Sequence, residues 1–496
     1  VAATNIKRMW VLLTLTIVIA AGVLGVEAFR DDDFCRFDSP MYTAIAQNIN
    51  LTGDWVNLFS SIDRPFEGDH PPFTFWATAL CLKLFGNTVF GAIAFSLFSA
   101  VAACVVVFFI GVLLKNDIAG FLGGMGLLLT RYVPRIARHN TIEIPLMLFV
   151  SLAVLFIILA HKKHRAFYLP FGVCTAFAIL SKGVVGFFPL GICFFAIIAE
   201  KRFRDLWNPF FLGGIFFSIA GPAAWLFVKG GMTSAGAITV LQQYIGFVVS
   251  VSHRASDGSR MRLITKLLEL CFIIVPGVVL GLYFVIRDSF FREKRKDLLV
   301  ILIWAALFIA AFLISGKRRG FYLLPMYPAM AVLFGIGLEA VIPRNFRMYT
   351  VYLISAFFAG NIAAPFLFPH WEPESIPIVL QRNTYLPAAR RAVEAVYAQS
   401  PEGMRFVSYM QRDENEFVFF FGEDHDLDIC QSLGEFEELA VSASPVLFYI
   451  PKKQFSQMDK KWHKKLKIVY AFDDQLLVTN QLDMAPVFDV EQKREQ

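Results

Sequence analysis

TVFGAIAFSLFSAVAACVVVFFIGVLL, Thr88 to Leu114, runs for 27 residues without one charged side chain. Wound as an α-helix it measures about 40 Å, more than the roughly 30 Å hydrocarbon core of a bilayer. Similar apolar runs lie near 9–28, 118–132, 144–160, 166–181, 183–199, 208–228, 264–286, 298–315, 321–342 and 348–368. With the first they predict about eleven transmembrane helices, an odd number. Composition agrees: 56% of the 496 residues are hydrophobic and 17% charged, more apolar sequence than a soluble chain needs. The segment 71–86 is apolar but too short to span, and reads as an interfacial or re-entrant helix.

Basic residues orient these spans. Lys7-Arg8, Lys115, His161 to Arg165, Lys201-Arg202 with Arg204, Arg292 to Lys296, and Arg344 with Arg347 all fall on one side, which the positive-inside rule makes cytoplasmic. The first span is long and many more follow, so it reads as a retained signal-anchor. Apolar density drops after Phe368, dividing the chain into a membrane domain, 1–368, with an outward loop 29–87, and a soluble outward domain, 369–496. In the second, strands are expected at 405–409, 416–421, 445–450 and 467–472 and helices at 386–398 and 433–440, a small α/β domain long enough for one core.

Three basic loops break the rule by lying on the outward side: Arg131, Arg135 and Arg138; His253-Arg254 with Arg260 and Arg262; and Lys317-Arg318-Arg319. An anionic ligand explains all three, and lipid headgroups would explain any single one. Net charge, +6, adds little. Of seven cysteines, Cys81, Cys104, Cys174, Cys193 and Cys271 sit in apolar runs; only Cys35 and Cys430 could face outward, for at most one disulfide.

The acids concentrate after the first span. Asp31-Asp32-Asp33 precede Asp38-Ser39-Pro40-Met41-Tyr42, and Glu67-Gly68-Asp69-His70-Pro71-Pro72 follow. Carboxylates are costly beside hydrocarbon, so such a cluster points to function. Ser39-Pro40 is a helix start, a capping hydroxyl before proline, and Met41, Ile45 and Ile49 continue it for about two turns before Gly53. Asp38 then lies at a helix N-terminus, where the dipole favours its ionised form, with Tyr42 one turn on; a purely capping role fits the same spacing. The prolines after Asp69 and His70 fix both residues ahead of the apolar segment. Arg138 to Leu146 forms a polar break between spans, Lys182 is a lone outward cation, and Lys317 to Arg319 lie between glycines ahead of Phe321 and Tyr322.

In order and spacing these pieces resemble the protein O-mannosyltransferase and lipid A aminoarabinose transferase group of the GT-C membrane glycosyltransferases. The resemblance covers most of residues 10–340. It rests on Asp38 to Tyr42 with Ile45-Ala46, Thr52-Gly53-Asp54-Trp55, His70-Pro71-Pro72 with Trp76, Leu84-Phe85-Gly86, Arg138 to Leu146, Leu180 to Gly183, and Lys317 to Pro325. It implies a GT-C transferase that takes a monosaccharide from a polyprenyl-phosphate sugar and delivers it to an envelope acceptor (lipid A, glycan or protein). The expected home is the bacterial inner membrane, with site and C-terminal domain facing the periplasm. Family members carry an Asp-Glu pair where this chain has Asp38-Ser39, so Asp38 inherits a role and the Glu has no counterpart. The second family carboxylate falls on Asp69, and Glu143 stands where many relatives have Asp.

The implied chemistry is a single displacement with inversion. Asp38, with Asp69 as second carboxylate, takes the acceptor proton or orients the acceptor. The leaving lipid phosphate is met by Arg138, Lys182, Arg254 and Lys317, Arg318 and Arg319, while Tyr42, His70, Glu143 and Tyr322 position substrate. No Gly-rich nucleotide loop is present, nor any Cys/His spacing of a metal site. No cofactor is required on this reading and nucleic acid is no partner; a divalent cation on the Asp31–Asp33 acids and Asp38 stays open. Three rivals are a transporter or flippase of lipid-linked sugars, a ligase moving a whole oligosaccharide, and a non-enzymatic scaffold.

Overall fold

The computed structural model describes residues 6–28, 38–61, 64–65, 70–130, 132–253, 272–292, 295–314, 320–367, 405–409, 427–430, 433–442, 444–451, 455–456, 458–471 and 475–481. The chain divides into two compact units, one of residues 1–30 and 46–381, the other of residues 31–45 and 382–496.

The first unit is helical. Its long elements are α1 (Ile6–Ala28), the later turns of α2 (Ser39–Thr52), α3 (Phe73–Phe85), α4 (Val89–Leu114), α5 (Asp117–Leu129), the short α6 (Tyr132–Ala137), α7 (Glu143–Lys162), α8 (Tyr168–Lys182), α9 (Phe188–Ala199), α10 (Pro209–Lys229), α11 (Ser234–His253), α12 (Val275–Ile286), α13 (Leu299–Ile314), α14 (Tyr327–Val341) and α15 (Arg347–Leu367). Each of the eleven expected spans meets a helix among the described residues. Among the described residues seven stretches are long and apolar enough to cross a membrane, with α8 and α9 counted as one continuous stretch. Phe194, Phe195, Phe216, Phe217 and Ile219 stand exposed on α9 and α10, a surface that suits lipid and not water. The protein is an integral membrane protein.

Two expectations need correction. α2 runs to Thr52, 14 residues and not two turns, ending where the Gly53 amide bonds to the Ile49 carbonyl at 3.0 Å. The first helical bond is Tyr42 N–H to the Asp38 carbonyl, 2.9 Å, so Asp38 and not Ser39 holds the capping position. The helix α11 was not expected at all. Its Ser, Gly, Thr and Gln residues dilute the apolar signal, and Gly230-Gly231 before it reads as a simple break.

Helix packing rests on small residues. α14 lies between α5 and α12, and the backbones approach closely enough that a Cβ on Gly335 would strike the Ala119 carbonyl. Lipid gives helices little hydrophobic reason to associate, so such close approach supplies the attraction. At the ends predicted to face the cytoplasm, buried or half-buried acids bind the basic loops. Arg8 grips Asp117 at 2.6 and 2.8 Å. Glu339 takes Arg347 at 2.7 Å and Lys115 at 3.5 Å. Asp297 meets Lys162 at 2.6 Å and Arg295 at 2.9 Å.

The second unit holds a five-stranded mixed sheet. Its strands are β3 (Arg405–Tyr409), β4 (Leu427–Cys430), β5 (Val446–Pro451), β6 (Lys467–Ala471) and β7 (Gln475–Thr479), after a two-stranded pair in the first unit, β1 (Phe59–Ser61) and β2 (Arg64–Pro65). Their order is β4-β3-β5-β7-β6; β3 runs parallel to β4 and β5, and β7 antiparallel to β5 and β6. Helix Leu433–Ala440 buries Phe436 against Phe448, ring centroids 4.8 Å apart, and against Trp462 at 5.6 Å. Three expected strands and the second helix stand where sequence put them; β4 and β7 were missed, and the expected 386–398 and 416–421 lie outside the described residues.

Candidate active site

α7 and α8 are neighbours joined through the short turn Arg165–Phe167, so the start of one meets the end of the other. An acid at a helix N-terminus and a cation at a C-terminus each suit the local dipole. Glu143 opens α7 and Lys182 closes α8, and the two side chains meet: Lys182 Nζ donates to Glu143 Oε1 at 2.6 Å. Both are largely buried, with side chains 12% and 7% exposed. The Tyr322 ring lies 4.3 Å from the same ammonium, a cation–π contact. Tyr322 sits in the tight turn Gly320–Met326, which is pinned by buried Trp304: its indole N–H donates to the Pro325 carbonyl at 2.9 Å. Three residues singled out separately, 39 and 140 positions apart from Lys182, thus form one cluster.

Gly183 ends α8 in the left-handed region, φ +48°, and a Cβ there would overlap the Tyr244 hydroxyl. Tyr244 of α11 therefore touches the backbone next to Lys182. Sequence reasoning missed it, because the helix that carries it was missed.

Aromatic packing sets this geometry. Phe73, which follows the Pro71-Pro72 junction, packs on Phe149 of α7 at 5.3 Å and Phe177 of α8 at 4.6 Å. Half-buried His70 is thereby held at the start of α3. Upstream, Asp54 accepts from the Val56 and Asn57 amides, both at 2.9 Å, and the Trp76 indole donates to the Trp55 carbonyl at 2.6 Å. The Asn57 amide and side chain hold the Asp54 carboxyl below its ordinary value, against a small opposing effect of burial.

The polar break after α6 is buried. Arg138 is 7% exposed and lies 3.4 Å from Glu27 at the end of α1. Glu27 was missed too: inside an apolar run it looks like a span terminus. Asn140 accepts from the Thr78 hydroxyl at 3.2 Å, tying the break to α3. In its own unit, Asp38 is half-buried and accepts from the Tyr42 hydroxyl at 3.4 Å. Asp69, Arg254, Lys317, Arg318 and Arg319 lie outside the described residues, as do Asp31 to Asp33. Among the described residues no three His, Cys, Asp or Glu side chains gather as metal ligands.

The comparisons agree with this architecture. The family model described as dolichyl-phosphate-mannose-protein mannosyltransferase matches residues 69–226, the stretch that carries His70, Arg138, Glu143 and Lys182. A protein of Aquifex aeolicus (strain VF5), described as uncharacterized, is 24% identical over 365 residues, 70% of each chain. ArnT from Cupriavidus metallidurans bound to undecaprenyl phosphate superposes with a TM-score of 0.73 at 17% identity, covering 97% of this chain and 99% of that one. The Archaeoglobus fulgidus oligosaccharyltransferase in the apo form gives 0.55 at 13% identity, covering 96% and 75%. The fold is shared with ArnT along nearly its whole length and, more loosely, with the oligosaccharyltransferase. The resemblance read from the sequence motifs is borne out by family model and fold alike.

Proposed function

We propose that this chain is an integral membrane glycosyltransferase that moves one sugar from a polyprenyl-phosphate donor to an envelope acceptor with inversion. The observation that carries the reading is the buried Lys182–Glu143–Tyr322 cluster, set in a fold shared along nearly its whole length with a transferase solved with undecaprenyl phosphate. A cation held by protein groups needs no reorganisation when the departing phosphate gains charge. Lys182 is that cation, Glu143 fixes its position, and Tyr322 and Tyr244 confine it. Arg138, braced by Glu27, and Arg254 and Lys317 to Arg319 complete the phosphate contacts. Asp38, with Asp69, accepts the proton of an attacking hydroxyl; the bond to Tyr42 orients Asp38. The acceptor is lipid A, a glycan or a protein. No cofactor is needed for this displacement.

The site and the C-terminal domain, 369–496, face the periplasm from the bacterial inner membrane, and 1–368 forms the catalytic membrane domain. The transporter reading finds no support in the fold match.

The test is kinetic. In purified protein, Asp38→Asn should cut kcat for a hydroxyl acceptor by about 100-fold or more while donor KM barely moves. Lys182→Met should lower kcat/KM for the donor and raise its KM. Near-normal turnover in Asp38→Asn would remove the base, and unchanged donor kinetics in Lys182→Met would remove the phosphate cation.

A further inference from the structure

At the opposite end of α9 from Lys182 the first unit holds a cleft. α9 begins six residues after Lys182 and carries the chain about 18 Å away over its twelve residues. The cleft measures 410 Å³ and is lined by Ala199, Ser289, Phe290, Lys296 and one face of α13, Leu299, Leu302, Ile303 and Ala306. Its volume falls in the usual range of about 300–1,000 Å³ for sites that take a small amphiphile, and its walls are likewise apolar with few polar groups.

The Ser289 hydroxyl donates to the Arg295 carbonyl at 2.9 Å, closing the turn that follows the wide helical turn Arg287–Phe291. Among the described lining residues Lys296 carries the charge, and it opens the short turn Lys296–Leu298 that leads into α13. Around it the segment Arg287 to Asp297 carries five basic residues against three acidic, and Asp297 is engaged by Lys162 and Arg295. Phe290 and Phe291 stand 59% and 82% exposed beside it, as aromatics do at a membrane interface.

We propose that this cleft binds an anionic phospholipid of the bilayer, its phosphate at Lys296 and an acyl chain along Leu299, Leu302, Ile303 and Ala306. Apolar length beneath a positive mouth fits such a lipid and disfavours a soluble anion, which would leave the apolar wall unused. The site is separate from the Lys182 cluster and does not depend on its function.

The experiment uses the full-length protein in nanodiscs and phosphatidylglycerol with a photoreactive acyl chain. Crosslinks should concentrate on residues 287–306. Unlabelled phosphatidylglycerol should compete about fivefold better than phosphatidylcholine, the advantage one interfacial lysine gives. Lys296→Ala should erase that preference and Lys296→Arg keep it. Ala306→Trp, filling the cleft, should remove the crosslinks. Lys182→Met should change none of this, and free phosphate should not compete. Crosslinks spread evenly over the helices, equal competition by the two lipids, or a preference that survives Lys296→Ala would each overturn the site. Competition by free phosphate would show an anion site without a lipid, and would overturn it too. If Ala306→Trp fails to fold, the lysine pair still decides.

Discussion

Replacing Lys182 by methionine leaves Glu143 buried without the ammonium that now lies 2.6 Å away. At that distance the attraction is about 6 kcal/mol for an effective dielectric near 20. Desolvation of both ions takes back most of it, so the pair as a whole adds little to stability. Removing one member is different, because the remaining charge keeps its desolvation cost and loses its compensation. With side chains only 12% and 7% exposed, either Lys182→Met or Glu143→Gln should cost about 3–5 kcal/mol. Losing the Tyr322 contact adds about 1 kcal/mol to the lysine variant. The double variant, with no buried ion, should recover most of the loss and fall within about 1–2 kcal/mol of the wild type. Reversible unfolding in mixed detergent micelles reads all three. Single losses below about 0.5 kcal/mol, the size of an exposed pair, or singles that simply add in the double, would refute the buried coupled pair.

Three further predictions follow from the packing and the loops. Gly335→Ala drives a methyl into the Ala119 carbonyl and should destabilise by about 1–3 kcal/mol in the same assay, whereas Gly25→Ala, with open space at its Cβ, should be neutral or better. Trp304→Phe removes the buried bond to the Pro325 carbonyl, should cost about 1–3 kcal/mol, and should raise donor KM by loosening the turn that carries Tyr322. Asp54 has its pKa lowered on folding, so its contribution is present above the ordinary carboxylate range and is lost as pH falls below it. Hydrogen exchange at the Val56 and Asn57 amides should therefore quicken relative to neighbouring loop amides on acidification, and pH-independent relative protection would contradict the turn.

Spans such as Val89–Leu114 were legible because a bilayer demands about twenty consecutive apolar residues and leaves little else for such a run to do. α11 was not, since its polar residues hide a helix that tertiary contacts stabilise. Single residues of the site were legible by type and place: Glu143 and Lys182 are charges where charges are costly. Their pairing was not, because it depends on α7 and α8 packing antiparallel in one register, which no local pattern records. Glu27 escaped for a related reason, its meaning lying in Arg138, 111 residues away. β4 and β7, four and five residues long, are too short for alternation to stand out.

The most direct test of the transferase account is product stoichiometry. Purified protein in detergent is given undecaprenyl-phosphate sugars labelled in the sugar, together with envelope acceptors, and both products are counted. The account predicts one undecaprenyl phosphate released for each sugar that appears on an acceptor, dependent on Asp38 and Lys182. Absence of transfer with every donor, alongside movement of intact labelled lipid across proteoliposomes, would contradict it.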